Sequence, residues 1–211
     1  DVEATMERNF PTGESWRLVS SPVAAQSISG EWTPSGTYDG GTGYDFYAWD
    51  EPTQYWLNQK VAANSITTFN PGQGYLISFQ ANDQTKSFAG ALNTGNVDVS
   101  VGYASTEAYS SSNLIGNPYP SGIDWSLADH TLFADNFAYV YDRVSTIDGV
   151  TEGYKPVDGG TAEAYIAANQ GFFVLKGEAG NETFTFTNAM RAHGGTFTKS
   201  NPESEALVLR L

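Results

Sequence analysis

The 211-residue chain contains no cysteine. Disulfides, thiolate metal sites and a cysteine nucleophile are thereby excluded, while the redox compartment stays open. Positive charge is scarce as well: ten Lys and Arg stand against 24 Asp and Glu, for a formal net charge of −14. Phosphate backbones are held by counterion-releasing Lys and Arg, so nucleic acid is not an expected partner, and anionic membrane surfaces are disfavoured for the same reason. No apolar run approaches the ~18 residues of a membrane-spanning helix, so no membrane insertion is expected. Histidine is limited to His130 and His193. The nucleophile elbow G-x-S-x-G, H-E-x-x-H, the P-loop and G-x-G-x-x-G after a strand are all missing, and no catalytic residue is assigned.

What remains is neutral and aromatic. Hydrophobic residues make up 40% of the chain, aromatics 14% and charged residues only 16%, which describes a globular core under a polar, weakly charged surface. Short apolar or alternating runs follow one another between Gly, Pro and Asn turns. They include Val2–Phe10, Trp16–Val23, Tyr44–Asp50, Tyr55–Leu57, Tyr75–Gln80, Ser87–Leu92 and Val97–Tyr103. The second half continues with Leu114–Tyr119, Phe137–Val144, Gly153–Val157, Phe172–Lys176 and Thr183–Thr187. Helical periodicity is absent over any long window, so the fold class is all-β, an antiparallel β-sandwich of jelly-roll type. Asp124 is placed to cap one short helix.

Four segments recur in the same order. Pro22 matches Pro118 at an offset of 96, Trp49-Asp50 matches Tyr141-Asp142 at 92, and Gln73-Gly74 matches Gln170-Gly171 at 97. Ser87-Phe88 matches Thr185-Phe186 at 98. Shared order and spacing indicate an internal duplication. Residues 1–104 and 105–198 are read as two sandwich repeats, standing side by side or forming one pseudo-twofold unit. Residues 199–211 are read as a linker and the start of a following domain, which makes the chain a segment of a longer polypeptide.

The run Leu114-Ile115-Gly116-Asn117-Pro118-Tyr119-Pro120-Ser121-Gly122-Ile123-Asp124-Trp125 is followed by Tyr139-Val140-Tyr141-Asp142, Asn169-Gln170-Gly171-Phe172 and Thr183-Phe184-Thr185-Phe186. Together with Trp16-Arg17-Leu18-Val19-Ser20-Ser21-Pro22-Val23, these motifs resemble the repeated β-domain of large secreted and surface proteins of Bacteroidetes, many exported by the type IX system. The resemblance implies a secreted or cell-surface location and neighbouring domains of the same polypeptide as partners. It implies no particular ligand.

The residues themselves suggest where a ligand could sit. Sugar rings present flat C–H faces that stack on Trp and Tyr, with a few polar groups completing the site. Trp32 and Tyr38 in the long Gly-rich loop, Trp56 after the hairpin turn, and its counterpart Tyr154 are the candidate ligand-binding residues. Trp16, Tyr47, Trp49 and Tyr141 are assigned to the core, as is Trp125. Hard oxygens in Gly-rich loops, Asp39, Asp45 and Asp148, could hold a structural Ca²⁺, although Asp-Gly is also ordinary turn chemistry. Gln73, Gln170 and Asn117 are expected to bond backbone groups across turns. The functional expectation is a non-catalytic module for adhesion or polysaccharide binding. The alternatives are a purely structural spacer and a glycan hydrolase or lyase.

Overall fold

A computed structural model describes residues 2–10, 16–33, 45–79, 84–104, 110–142 and 153–193, together with the backbone of 207–210. The first half runs β1 (Glu3–Phe10), β2 (Arg17–Ser20), β3 (Phe46–Asp50), β4 (Tyr55–Asn58), β5 (Gly74–Ile77) and β6 (Gln84–Ala91). The second runs β7 (Val97–Tyr103), β8 (Ser112–Gly116), β9 (Gly122–Asp124), β10 (Phe137–Asp142), β11 (Gly153–Asp158), β12 (Tyr165–Ile166), β13 (Gly171–Leu175), β14 (Gly180–Phe186) and β15 (Arg191–Ala192). β16 (Leu207–Arg210) closes the order. All described pairings are antiparallel, and the fold is an all-β sandwich. The expected short helix is a single 3₁₀ turn, Trp125–Leu127, with the Asp124 side chain accepting from the Ser126 N–H at 3.0 Å.

Two four-stranded sheets, β2-β5-β3-β4 and β11-β10-β13-β8, form the inside of the molecule. Successive side chains of a strand point to opposite faces, so each inner sheet has two faces to bury. Val19, Phe46, Ala48, Tyr75 and Ile77 turn outward onto Met6 of β1 and Phe88 of β6, making the first core. Ile115, Ala138, Val140, Phe172 and Val174 turn outward onto Val101 of β7 and Phe184 and Phe186 of β14, making the second. The alternate residues of both inner sheets meet each other. Leu18, Leu114 and Phe173 are buried there, with Trp49, Trp56, Leu76, Tyr139 and Tyr141 packed around them. The order across the molecule is outer sheet, core, inner sheet, seam, inner sheet, core, outer sheet.

The duplication is visible in the backbone contacts that join the halves. Val19 bridges Gln170, and Ile115 bridges Gln73. The Ser20 N–H donates to Asn169 C=O at 3.0 Å, and Gly116 N–H donates to Gly72 C=O at 2.9 Å. An offset of 96 carries Val19 and Ser20 onto Ile115 and Gly116, and an offset of 97 carries Gln73 and Gly72 onto Gln170 and Asn169, so the exchange is reciprocal and the relation is a pseudo-twofold axis. Gly72 and Asn169 hold equivalent left-handed positions, φ +78° and +60°, which Gly and Asn adopt at least cost.

Residues 207–210 depart from the expected start of a following domain. They pair with β1, from Thr5↔Arg210 to Arg8↔Leu207, as the third strand of the first outer sheet. This pairing closes across nearly the whole chain, so no local pattern in the sequence signals it.

Candidate functional site

The seam between the inner sheets is where aromatic side chains reach solvent. In β3 and β4, Trp49 is paired in register with Trp56; in β10 and β11, Tyr141 is paired with Tyr154. These pairs are pseudo-twofold mates. Their rings stand edge to face, at 5.1 Å for Trp49 and Trp56 and 5.5 Å for Tyr141 and Tyr154. The Phe173 ring lies among them, with centroids 5.7 Å from Trp49, 6.0 Å from Trp56 and 5.6 Å from Tyr154, each nearly perpendicular. The Trp49 indole N–H donates to Ser112 C=O at 2.7 Å, tying the first sheet to the second.

Two clefts flank this cluster. One, of about 450 Å³, is lined by Trp16, Tyr47, Trp56, Leu76, Tyr141 and Tyr154. The other, of about 490 Å³, is lined by Trp49, Trp56, Ser112, Tyr139, Tyr154 and Phe173, with Leu175. The duplication maps Trp16 to Ser112, Tyr47 to Tyr139, Leu76 to Phe173, Tyr141 to Trp49, and Trp56 and Tyr154 to each other. Each cleft is therefore the image of its neighbour, and each takes walls from both halves. Among the described residues, neither lining contains a charged side chain. Tyr154 remains 46% exposed and Trp16 39%, which leaves ring surface open to a ligand.

Two of the cleft tyrosines, Tyr139 and Tyr154, resist ionisation. Burial, and then the neighbouring Tyr141, push the Tyr154 phenol up to about 12. Burial pushes Tyr139 up to about 12 as well, helped by the bond its hydroxyl donates to Asp135 Oδ2 at 2.8 Å and by that carboxylate's charge. In the cores, Tyr75 and Tyr119 are also raised to about 12, again chiefly by burial. A raised folded-state pKa means that the stabilisation is complete below the unfolded value of 10.0 and is lost as pH rises through about 12. Urea midpoints measured from about pH 8 upward are expected to hold steady to about pH 10 and then fall, in step with the appearance of tyrosinate absorbance. A flat stability profile through that window would contradict the burial of these phenols.

Of the sequence candidates, Trp56 and Tyr154 come together at the seam. Trp32 does not. It is 1% exposed, its indole N–H donates to Ser87 C=O at 2.8 Å, and its ring packs 4.4 Å from Phe88 and 5.1 Å from Phe69. It is a core residue rather than a binding one, because the Gly30–Trp32 turn folds its apolar ring against β6. Tyr38, Asp39 and Asp148 lie outside the described residues. Asp45 is described, and its backbone C=O accepts from Ser78 N–H at 2.9 Å. Among the described residues no three His, Asp or Glu side chains gather closely enough to hold a metal ion. Conversely, Trp16, Tyr47, Trp49 and Tyr141 line the clefts rather than filling either main core. The signal for them was present in the sequence. Strands with large apolar side chains on both faces must be covered on both faces, and the second cover here is the other half of the molecule.

A third cavity, of about 500 Å³, is more polar and has Asp50, Glu51 and Asp98 on its walls. These carboxylates serve the fold. Glu51 accepts backbone N–H bonds from Ala104 at 3.0 Å and Ser111 at 3.1 Å, Asp98 accepts from the Thr185 hydroxyl at 2.6 Å, and Asp50 accepts from Thr53. The His130 ring packs 5.1 Å from Trp125, and burial lowers its pKa, whereas His193 is exposed. The polar turn residues behave as expected: Gln170 donates to Leu18 and Gly171 carbonyls at 3.0 and 2.8 Å, and Asn117 to Ser121 and Ala167 carbonyls at 2.7 and 2.9 Å. Gln73 differs, accepting from the Asn70 side chain at 2.8 Å.

A family model described as a domain of unknown function (DUF8693) matches residues 3–129, which is more than half of the 211 residues. The matched stretch covers β1 to β9 and so reaches across the seam. No curated protein and no solved structure matches the chain.

Proposed function

We propose a function from the seam itself, since the chain belongs to the DUF8693 family and that membership assigns no activity. The reading is a non-catalytic module of a secreted or cell-surface protein that binds neutral polysaccharide. The observation that carries it is the pair of aromatic-walled clefts sharing Trp56 and Tyr154, uncharged among the described residues. Aromatic faces receive the C–H faces of sugar rings, and volumes of about 450 and 490 Å³ are those of small-ligand sites. The net charge of −14 repels anionic polymers and leaves neutral ones as the natural partner. The resemblance to exported Bacteroidetes β-domains supports the location.

The test is binding to a panel of neutral polysaccharides by the parent chain, Trp56→Ala and Tyr154→Ala, each checked for cooperative thermal unfolding. Removing either ring is expected to weaken binding about tenfold or more, the loss of a stacking contact at a partly desolvated position. Tyr55→Ala is the control, because Tyr55 is 70% exposed but lines neither cleft. If no neutral glycan binds, or if both cleft variants bind like the parent, the polysaccharide reading is lost and the spacer role takes its place.

A further inference from the structure

The geometry points to a single groove with two subsites that holds one linear, equatorially linked neutral glycan across the pseudo-twofold axis, and this rests on the polysaccharide reading above. Trp56 and Tyr154 line both clefts, so the clefts adjoin at that pair. Both rings also flank Phe173, 6.0 and 5.6 Å from its centroid, which gives the shared region a continuous apolar floor. A ligand large enough to use both clefts gains the second as an intramolecular event, at high effective concentration.

The symmetry also restricts the ligand. The axis exchanges Trp56 with Tyr154 and Tyr47 with Tyr139, so at these two pairs of positions a chain meets an aromatic ring from either end. Ring stacking is indifferent to the direction of a sugar chain, whereas hydrogen-bond readout is not. A chain held mainly by stacking must offer apolar C–H on its faces along its whole length. Pyranose units with equatorial substituents and equatorial linkages, such as β-1,4-linked glucose, do this because their axial positions carry only hydrogen. The net charge of −14, with no cation among the described lining residues, disfavours the uronic-acid version of the same chain. The subsites are alike but unequal, since Trp16 stands where the other has Ser112, and Leu76 where the other has Phe173.

Titration calorimetry with β-1,4-linked glucose di-, tetra- and hexasaccharides tests the groove. The hexasaccharide is expected to bind one to one, at least about tenfold tighter than the disaccharide, and the glucuronate hexamer at least about tenfold weaker. Trp16→Ser, which makes the first subsite resemble the second, is expected to erase most of the gain with length while disaccharide binding persists. Leu175→Ser perturbs only the second subsite and gives the same readout if Trp16→Ser proves unstable. Equal affinity at all lengths, or two hexasaccharides per chain, would overturn the continuous groove. If the glucose oligomers fail to bind while another neutral polysaccharide binds in a Trp56-dependent way, the equatorial-chain assignment falls and the binding function stands. Failure of every neutral polysaccharide removes both.

Discussion

Trp32→Ala is expected to lower stability by about 3–5 kcal/mol, the range for removing a fully buried large aromatic. Trp32 is 1% exposed and packs edge-on or tilted against Phe10, Phe69 and Phe88 at 6.4, 5.1 and 4.4 Å. Truncation would leave a cavity that these rings cannot collapse to fill. It would also strip Ser87 C=O of its 2.8 Å indole donor, although the Gln26 side chain still donates to that oxygen at 3.0 Å. Trp32→Phe keeps most of the packing and should cost markedly less. Urea unfolding of both variants measures this, and glycan binding then separates the roles. A folded Trp32→Phe chain should bind like the parent, whereas a ligand role for Trp32 would show as lost affinity at unchanged stability.

The second large effect is expected at the axis itself. Gly116 and Ser20 are duplicate mates that touch each other, and a Cβ on Gly116 would overlap Ser20 Cβ and lie 2.8 Å from its hydroxyl oxygen. The axis has room for one side chain, not two. Close by, a Cβ on Gly74 would approach Ile115 C=O to 2.7 Å, and one on Gly171 would approach Val19 C=O to 3.0 Å, so the crossing strands meet backbone to backbone. Gly116→Ala is therefore expected to destabilise by about 3 kcal/mol or more, at the upper end of overpacking costs, because the obstructing atoms are anchored to backbone. Adding Ser20→Gly should restore most of the loss. Ser20→Gly alone should be milder, forfeiting the hydroxyl bond to Asn117 C=O at 2.6 Å. A double-mutant cycle in urea reads the coupling directly. If Ser20→Gly fails to rescue Gly116→Ala, the two positions do not share the axis.

Much of this architecture is legible in the residues. The all-β class follows from short alternating runs and the lack of helical period. The duplication follows from matched offsets, and the reciprocal bonds Ser20–Asn169 and Gly116–Gly72 are its physical expression. For the clefts, the sequence shows the aromatic positions but not how they group. Trp56 and Tyr154 stand out in the sequence as counterparts in the two copies, and both line both clefts. Trp32 misled because a loop position suggests exposure, while a large apolar ring gains more from burial than a loop costs to fold over it. The strand positions of Trp49, Tyr141 and Tyr47 suggest a core, yet these rings line the clefts. Strand position fixes alternation but does not say what covers each face.

The sequence by itself thus determined the strand pattern, the twofold repetition and the aromatic character of the inner strands. All three are properties of local order: period, spacing and composition. Tertiary structure decided which face of each inner sheet became core and which became seam, that Trp16 and Ser112 would make two related clefts unequal, and that residues 207–210 would pair with β1. Those outcomes depend on contacts between residues about a hundred or two hundred positions apart. An alternating strand looks the same in sequence whichever layer comes to rest on it.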